Sequence, residues 1–246
     1  MKTHLLLSAF LLMQALPAAA QDSATTPAAE EIVTRMTAHD LGRQSSTEGY
    51  VGMRRYILEN QKFHKRAEML VQVQGDKDGI KHFEVVSEDG WKAAHKHVLH
   101  KMLESETETS RPEKRAGTRL NSGNYDFSLI GTELMAGRPA YVLEVRPKRS
   151  EKYLFEGRIW VDVEDYALVR AEGKPAKKPS FWTKNIHFVQ VYQKCGPVWF
   201  PLSTQSVTEA HLFGTTDVSI EYFGYAPNVP NAWGNSVVSA EAMPTP

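Results

Sequence analysis

The sequence predicts a mainly β fold, in which a strongly curved antiparallel sheet of about ten strands forms an unclosed half-barrel and two helices cover its open side. The first observation is the alternation of apolar and polar side chains over 139–147 and 153–163, which is typical of strands with one buried and one solvated face. The second is that apolar residues recur at helical spacing in only two short segments. A broad sheet that is apolar on one side needs a cover, and the helices are natural candidates.

The N-terminus predicts export. Met1–His4 is short and basic, Leu5–Leu16 is apolar, and Ala18–Ala20 supplies small residues for cleavage. This order is typical of a secretory signal peptide, so we set residues 1–20 apart from the fold and predict a periplasmic mature chain. The cleavage point carries no cysteine, so a lipid anchor at this end is not expected.

Composition excludes several classes of function. The 29 basic and 29 acidic residues balance, so no strong field favours nucleic acid or anionic lipid. The single cysteine, Cys195, cannot form an internal disulfide, so stability must come from core burial. A small thiol near a turn is the simplest interpretation of Cys195. We expect a monomer.

The domain is expected to span residues 29–225, after a flexible leader at 21–28. Pro27 can open a helix in its first turn, and Ile32, Val33 and Met36 give that helix an apolar stripe that fades near Gly42. Strands are then predicted over 49–59, 66–74 and 80–86. In the first of these strands both faces carry apolar residues, so its inward face stays open.

A second helix is predicted after Gly90, because Trp91, Ala94, Val98 and Met102 recur at helical spacing as far as about Glu108. The charged and polar stretch 104–124 predicts a loop. Seven more strands follow, with turn residues between them: 125–135, 138–148, 152–163, 166–173, 184–195, 198–209 and 212–225. Residues 226–246 lack periodicity and predict an extended or disordered tail.

Residues at several joints carry a resemblance to a known family. They are the run Gly137–Lys148, the run Arg158–Asp162, the tripeptide Leu168–Arg170 and the hairpin start Gly196–Pro201. Together with the order of elements, they resemble the periplasmic lipoprotein-sorting carriers of the Lol type, a superfamily that also includes the lipid-sensing domain of a sigma-factor regulator. The resemblance covers roughly residues 29–225 and implies an unclosed half-barrel with a helical lid and an apolar cavity for acyl chains.

No family motif fixes a functional position, so the predicted cavity wall comes from alternation alone. The eleven positions share the apolar parity of their strands: Tyr141, Leu143, Val145, Ile159, Val161, Val198, Phe200, Leu202, Val218, Ile220 and Tyr222. Taken one by one, ordinary core packed against the two helices is the favoured interpretation of each. As a set they favour a cavity, because two short helices look too small to cover ten strands.

Other groups of residues have simpler interpretations than chemistry. His95, His97 and His100 predict a solvated helix face, with a metal site or a pH-responsive lid as alternatives. Asp162, Glu164 and Asp165 are explained by turn chemistry. The basic pair Arg54–Arg55 is expected to be solvated. Trp160 and the pair Phe181–Trp182 indicate either a docking edge or packing against a neighbouring loop.

The function predicted from these observations is a non-enzymatic periplasmic carrier that binds lipid or lipoprotein acyl chains for outer-membrane trafficking. No catalytic residue, metal ligand or cofactor is assigned, and inner- or outer-membrane proteins are the expected partners. A regulatory module that senses lipid or binds a membrane-anchored partner remains an alternative. A small hydrolase also stays open, although no Gly-x-Ser-x-Gly motif supports it.

Overall fold

A computed structural model describes residues 27–45, 49–178, 183–195 and 198–227. It shows a single sheet of ten antiparallel strands, in the spatial order β3-β2-β1-β10-β9-β8-β7-β6-β5-β4. The strands are β1 Tyr50–Asn60, β2 Lys65–Gly75, β3 Lys81–Gly90, β4 Tyr125–Met135, β5 Arg138–Pro147, β6 Phe155–Asp162, β7 Leu168–Pro175, β8 Thr183–Cys195, β9 Val198–Ala210 and β10 Gly214–Pro227. Because β3 and β4 are edges, the sheet is not closed, and the predicted mainly β half-barrel is confirmed.

Three helices accompany the sheet. Helix α1 spans Ala29–Ser45. Helix α2 covers residues 92–110: it begins at Lys92–Ala94, passes through a π-helical turn at His95–Leu99 and ends with His100–Ser110. Helix α3 is the short segment Pro112–Arg115. Among the described helices, none has the length and apolar character needed to span a membrane.

The second helix was predicted to reach about Glu108 and ends at Ser110, whereas the stretch 104–124 that was predicted as a loop contains the end of α2 and all of α3. Helix α2 continues to Ser110 although its last turns consist of Glu, Ser and Thr, which carry little apolar signal. Contacts with the sheet hold this end in place. The Ser110 hydroxyl accepts a hydrogen bond from the backbone N–H of Lys81 at 2.9 Å, and the carboxylate of Glu106 bonds the Lys81 ammonium at 2.7 Å.

Each long helix covers its own core. Helix α1 buries Ile32, Val33 and Met36, the predicted stripe, against strands β4 to β7. Helix α2 buries Ala94, Leu99 and Leu103 against β1, β2 and β10. We call these the α1 core and the α2 core, and the sheet face on which both lie the inner face. The two cores are separate clusters, and strands β8 and β9 lie between them in the sheet.

A third apolar cluster lies on the opposite, outer face and decides between the two interpretations of Trp160. This side chain is only 5% exposed, packs with Ala140, Val142 and Val169, and donates a hydrogen bond from Nε1 to Glu133 at 2.8 Å. Trp160 is therefore a packed residue and does not form an exposed docking edge. The pair Phe181–Trp182, the proposed signal peptide and all but the first two residues of the proposed tail lie outside the described residues.

Strands β6 and β7 approach each other closely at a pair of glycines. Gly157 lies directly opposite Gly173, and a Cβ atom on Gly157 would lie 2.0 Å from the carbonyl oxygen of Glu172. No real side chain tolerates that distance, so the strands would have to separate. In contrast, a Cβ atom on Gly131 in β4 would meet no atom within 4 Å.

We expect the substitution Gly157→Ala to lower the free energy of unfolding by about 2 kcal/mol, because it forces strand β7 away from β6. Gly131→Ala is the matched control, and should change that free energy by less than about 1 kcal/mol. Urea unfolding followed by circular dichroism measures both variants. Equal stabilities would show that the close approach of β6 and β7 does not constrain the sheet.

Candidate functional site

Among the strands that lie between the two edges of the sheet, the middle strands β8 and β9 are the least covered on the inner face. Register places Phe188 opposite Ser206, and Ser206 opposite the core residue Val218. In the same way Gln190 lies opposite Thr204, and Thr204 opposite Ile220. We call Phe188, Gln190, Thr204 and Ser206 the central strip. All four are half-buried, and among the described residues of β8 and β9 only Thr183 is buried.

The central strip connects the two cores. Phe188 contacts Phe155 of the α1 core edge-to-face, with ring centroids 5.2 Å apart. On the other side, the hydroxyl groups of Thr204 and Tyr222 share a hydrogen bond of 2.9 Å, and Tyr222 belongs to the α2 core. The strip carries no charged side chain. It is therefore an uncharged, half-covered floor between two helix-covered cores.

The structure divides the predicted cavity wall into three groups. Five positions belong to the α1 core: Tyr141, Leu143, Val145, Ile159 and Val161. Three belong to the α2 core: Val218, Ile220 and Tyr222. The remaining three, Val198, Phe200 and Leu202, lie on β9, where Val198 and Phe200 are half-buried and Leu202 is 42% exposed. The first two groups therefore lie in the helix-covered cores, whereas the β9 group is half-buried or exposed.

Phe200 belongs to a group of aromatic rings at one end of the strip. The ring of Tyr225 lies 5.0 Å from Phe200, 5.6 Å from Tyr50 and 6.3 Å from Tyr222. We call these four residues the aromatic cluster. Glycines on β1 and β2 make room for it: Gly52 lies under Tyr225, and Gly75 lies under Tyr50. A Cβ atom on either glycine would come within 3.0 Å of the ring above it.

Three charged side chains adjoin the aromatic cluster, and we call them the charged triad: Arg54 on β1, Lys81 on β3 and Glu106 on α2. One carboxylate oxygen of Glu106 bonds Nη1 of Arg54 at 2.8 Å, and the other bonds Nζ of Lys81 at 2.7 Å. Side chains of Lys81 and Glu106 are each 31% exposed, whereas that of Arg54 is 2% exposed. The triad therefore joins helix α2 to the sheet at a point that solvent reaches.

The burial of Arg54 contradicts the prediction that this basic pair is solvated. Its guanidinium donates to the hydroxyl groups of Tyr225 at 3.0 Å and Tyr56 at 3.2 Å, and it lies over the rings of Tyr222 and Phe83. The neighbouring Arg55 points to the outer face, where it pairs with Glu68 and Glu221. The only indication of burial in the sequence was the alternation along the strand, which places Arg54 on the same face of β1 as Tyr56 and Leu58.

Electrostatics keep the triad ionised. Burial alone would raise the pKa of Glu106, but the ammonium of Lys81 and the guanidinium of Arg54 outweigh that effect and lower it to about 2. Burial works against the charge of Lys81 as well, yet the Glu106 carboxylate holds the pKa of Lys81 above its usual value. Burial raises the pKa of the neighbouring Tyr225 phenol to about 12, against the opposing effect of Arg54.

The three helix histidines do not share one environment. His95 is only 4% exposed, and its Nε2–H donates to the backbone oxygen of Asp89 at 2.8 Å. The solvated interpretation is therefore wrong for His95. His100 bonds Glu88 at 2.5 Å, and His97 is exposed. These histidines line an open pocket of about 880 Å³ with several lysines. Within the described residues, no three metal-binding side chains are grouped closely enough to hold an ion.

The acidic hairpin between β6 and β7 follows turn chemistry. Asp162 is 1% exposed, and one of its oxygens accepts the backbone N–H groups of Glu164 and Asp165. Arg138 binds both oxygens of Asp162, at 2.7 and 2.8 Å. Burial would raise the pKa of Asp162, but these hydrogen bonds lower it overall. Cys195 is exposed as a free thiol.

Comparison with known proteins gives one family match and a set of structural neighbours. Residues 120–228 match the model of DUF5686, a family of unknown function, and no curated protein matches the sequence. A DUF1329 family protein from Desulfovibrio piger is 12% identical over 83% of this chain and 95% of its own, with a TM-score of 0.42.

Two further neighbours come from the group that the sequence resembles. An outer membrane lipoprotein-sorting protein domain from Vibrio parahaemolyticus is 14% identical over 82% of this chain and 93% of its own, with a TM-score of 0.41. A LolA superfamily protein from Nitrosomonas europaea is 11% identical over 83% of this chain and 95% of its own, with a TM-score of 0.38. Similarity at this level does not assign a ligand to this chain.

We expect Glu106→Gln to lower the free energy of unfolding by about 3 kcal/mol at pH 7, because it leaves Arg54 buried without its carboxylate. Glu104→Gln, on the same helix, is the matched control. Its partner Lys101 is 65% exposed, so the expected loss is below about 0.5 kcal/mol. Urea unfolding of both variants provides the comparison.

Acid should destabilise the native protein as Glu106→Gln does, because it neutralises the Glu106 carboxylate. The pKa of Glu106 is lower in the folded chain than the unfolded value of 4.5, so its contribution is fully present above pH 4.5 and is lost as the pH falls towards about 2. The gap between native protein and Glu106→Gln should therefore narrow over that range. A gap that stays constant between pH 7 and pH 2 would contradict the assignment.

Proposed function

We propose that this protein is a periplasmic carrier that holds an acyl chain of a lipid or lipoprotein on the central strip, between helices α1 and α2. One observation supports the proposal above all: the inner side chains of the middle strands are less buried than those of the strands on either side. In an open sheet covered evenly by helices, the middle strands are the most buried, yet here β8 and β9 have half-buried inner faces while their neighbours are fully packed.

The chemistry of this floor suits an acyl chain. The central strip is uncharged, and the aromatic cluster at its end presents the half-buried rings of Tyr50, Phe200 and Tyr225. Each methylene group removed from water gains roughly 0.8 kcal/mol, so a chain that covers part of the strip is held without a specific polar contact. Ordering the chain and the helices offsets part of this gain.

Helix α2 is the element that we expect to move on uptake. Near its C-terminal end it is held by the charged triad and by the hydrogen bond between Ser110 and Lys81, so polar groups of a ligand must replace these contacts when the helix moves. Each long helix buries three apolar side chains, and α2 differs from α1 by the ion pairs that join it to the sheet. The periplasmic location is proposed from the signal-peptide pattern of residues 1–20.

A second candidate is an interaction module that binds a membrane-anchored partner. The edge strand β4 favours this candidate, because it leaves Ile130 54% exposed and Leu134 74% exposed beside unpaired backbone groups. An extended segment of a partner could add to such an edge. Recovery of a specific envelope protein with the immobilised chain, together with no lipid uptake, would support this candidate over the carrier.

The experiment that tests the carrier is native mass spectrometry, followed by organic extraction, of protein purified from a bacterial periplasm without detergent. We expect a bound mass that the extraction identifies as a lipid. A protein that is free of ligand and takes up no added lipid would contradict the proposal.

A pair of variants tests the position of the ligand. Phe200→Ser removes a ring at the end of the central strip, and should weaken lipid binding by roughly 10-fold because the lost contact area is that of one aromatic side chain. Phe223→Ser removes an equal ring that lies opposite Met53 on the outer face and is 37% exposed. It should leave lipid binding unchanged. Equal losses in both variants would contradict the assignment to the inner face.

A further inference from the structure

The charged triad carries more positive than negative charge, and this imbalance bears on the kind of ligand. Arg54 and Lys81 each ion-pair with Glu106, and among the described residues neither pairs with a second carboxylate. One carboxylate is therefore shared between two cations. One positive charge remains uncompensated at the place where the aromatic cluster meets helix α2.

Displacement of helix α2 makes the imbalance larger. Glu106 belongs to the helix, whereas Arg54 and Lys81 belong to the sheet. If the helix moves, the one carboxylate that pairs with Arg54 and Lys81 among the described residues leaves with it, and two cations stay behind, one of them 2% exposed. A buried cation without a counter-charge is strongly unfavourable. An incoming anion removes that cost, whereas a neutral lipid does not.

The aromatic cluster fixes the direction in which such a ligand would lie. Nε of Arg54 bonds the Tyr225 hydroxyl at 3.0 Å, and the Tyr225 ring stacks on Tyr50 and contacts Phe200. A head group bound at Arg54 and Lys81 therefore places the first methylene groups of its chain beside these rings. The chain then continues across β9 toward the central strip.

We propose that Arg54 and Lys81 form a head-group subsite for an amphiphile with one acyl chain and an anionic carboxylate or phosphate head. Glu106 occupies this subsite in the empty protein as an internal stand-in for that head. This inference rests on the carrier function and narrows its ligand to anionic amphiphiles. Because the pKa of Glu106 is lowered to about 2, its carboxylate is negatively charged at any pH that a periplasm reaches.

The test compares ligands of one chain length that differ in the head group. The full protein is loaded with the neutral fluorophore N-phenyl-1-naphthylamine, and hexadecanoate, hexadecan-1-ol or palmitoyl-lysophosphatidylglycerol is added below the concentration at which it forms micelles or separates from solution. We expect hexadecanoate to displace the fluorophore at concentrations about 10-fold lower than hexadecan-1-ol does, since charge-assisted bonds form only with the anion. Palmitoyl-lysophosphatidylglycerol distinguishes a phosphate head from a free carboxylate.

Two variants identify the subsite. Lys81→Gln should reduce the preference for hexadecanoate over hexadecan-1-ol to below about 3-fold, because it removes one of the two cations that would bind the anionic head. Glu106→Gln should do the opposite: it removes the internal competitor, so hexadecanoate should bind about 5-fold more tightly than it binds the native protein. Hexadecanoate should also restore the melting temperature that this variant loses. Glu104→Gln should behave like the native protein, and circular dichroism confirms that each variant is folded.

The outcomes separate this inference from the carrier function. If the protein binds neither the fluorophore nor any of the amphiphiles, the carrier function itself is wrong. If hexadecanoate and hexadecan-1-ol compete equally well, the carrier function stands and the head-group subsite is wrong. A folded Glu106→Gln variant with unchanged or weaker binding of hexadecanoate would show that Glu106 is a structural clamp only, and would overturn its role as a stand-in.

Discussion

The structure depends on a constraint of its sheet: an open sheet of ten strands has an inner face wider than either helix can cover. Here the cover consists of α1 over β4 to β7 and α2 over β1, β2 and β10, with two separate cores beneath them. The middle strands β8 and β9 are paired on both sides, so the backbone is satisfied, but their inner side chains are only half-buried. The place that a ligand could fill is thus set by the arrangement of the helices.

The buried charge of Arg54 on the sheet depends on helix α2, which supplies its counter-charge. Arg54 is fixed on the sheet by two tyrosine hydroxyl groups and two aromatic rings, and its charge is balanced by Glu106 on α2. A buried ion pair of this kind adds little net stability, because desolvation offsets the attraction. Its loss is costly, however, since the remaining charge has no partner. The helix is therefore held firmly until something else supplies the negative charge.

Much of the fold could be predicted from the sequence, because its strands alternate regularly and are separated by turn residues. All ten predicted strands exist, and the apolar stripe of α1 packs as expected. The end of α2 was predicted less clearly, as helix to about Glu108 and as loop from 104, because its Glu, Ser and Thr residues are held by contacts with β3 that no local pattern reveals. The alternation left open whether Trp160 is exposed or packed, because the outer face has an apolar cluster of its own.

The candidate site was harder to predict than the fold. Eight of the eleven predicted wall positions lie in the two helix-covered cores, because alternation identifies a buried face without telling core from cavity. The burial of Arg54 was not predicted because a basic pair is normally solvated. Only its position on the same face of β1 as Tyr56 indicated burial. Gly52 and Gly75 gave no signal at all, since the rings that lie over them come from other parts of the chain.

Hydrogen–deuterium exchange measured with and without hexadecanoate would show both where the ligand lies and which helix responds to it. We expect slower exchange in 183–195 and 198–210, and faster exchange in 92–110, while residues 29–45 stay unchanged. Slower exchange confined to the outer face or to strand β4, with 92–110 unaffected, would contradict a ligand on the central strip beneath a movable α2.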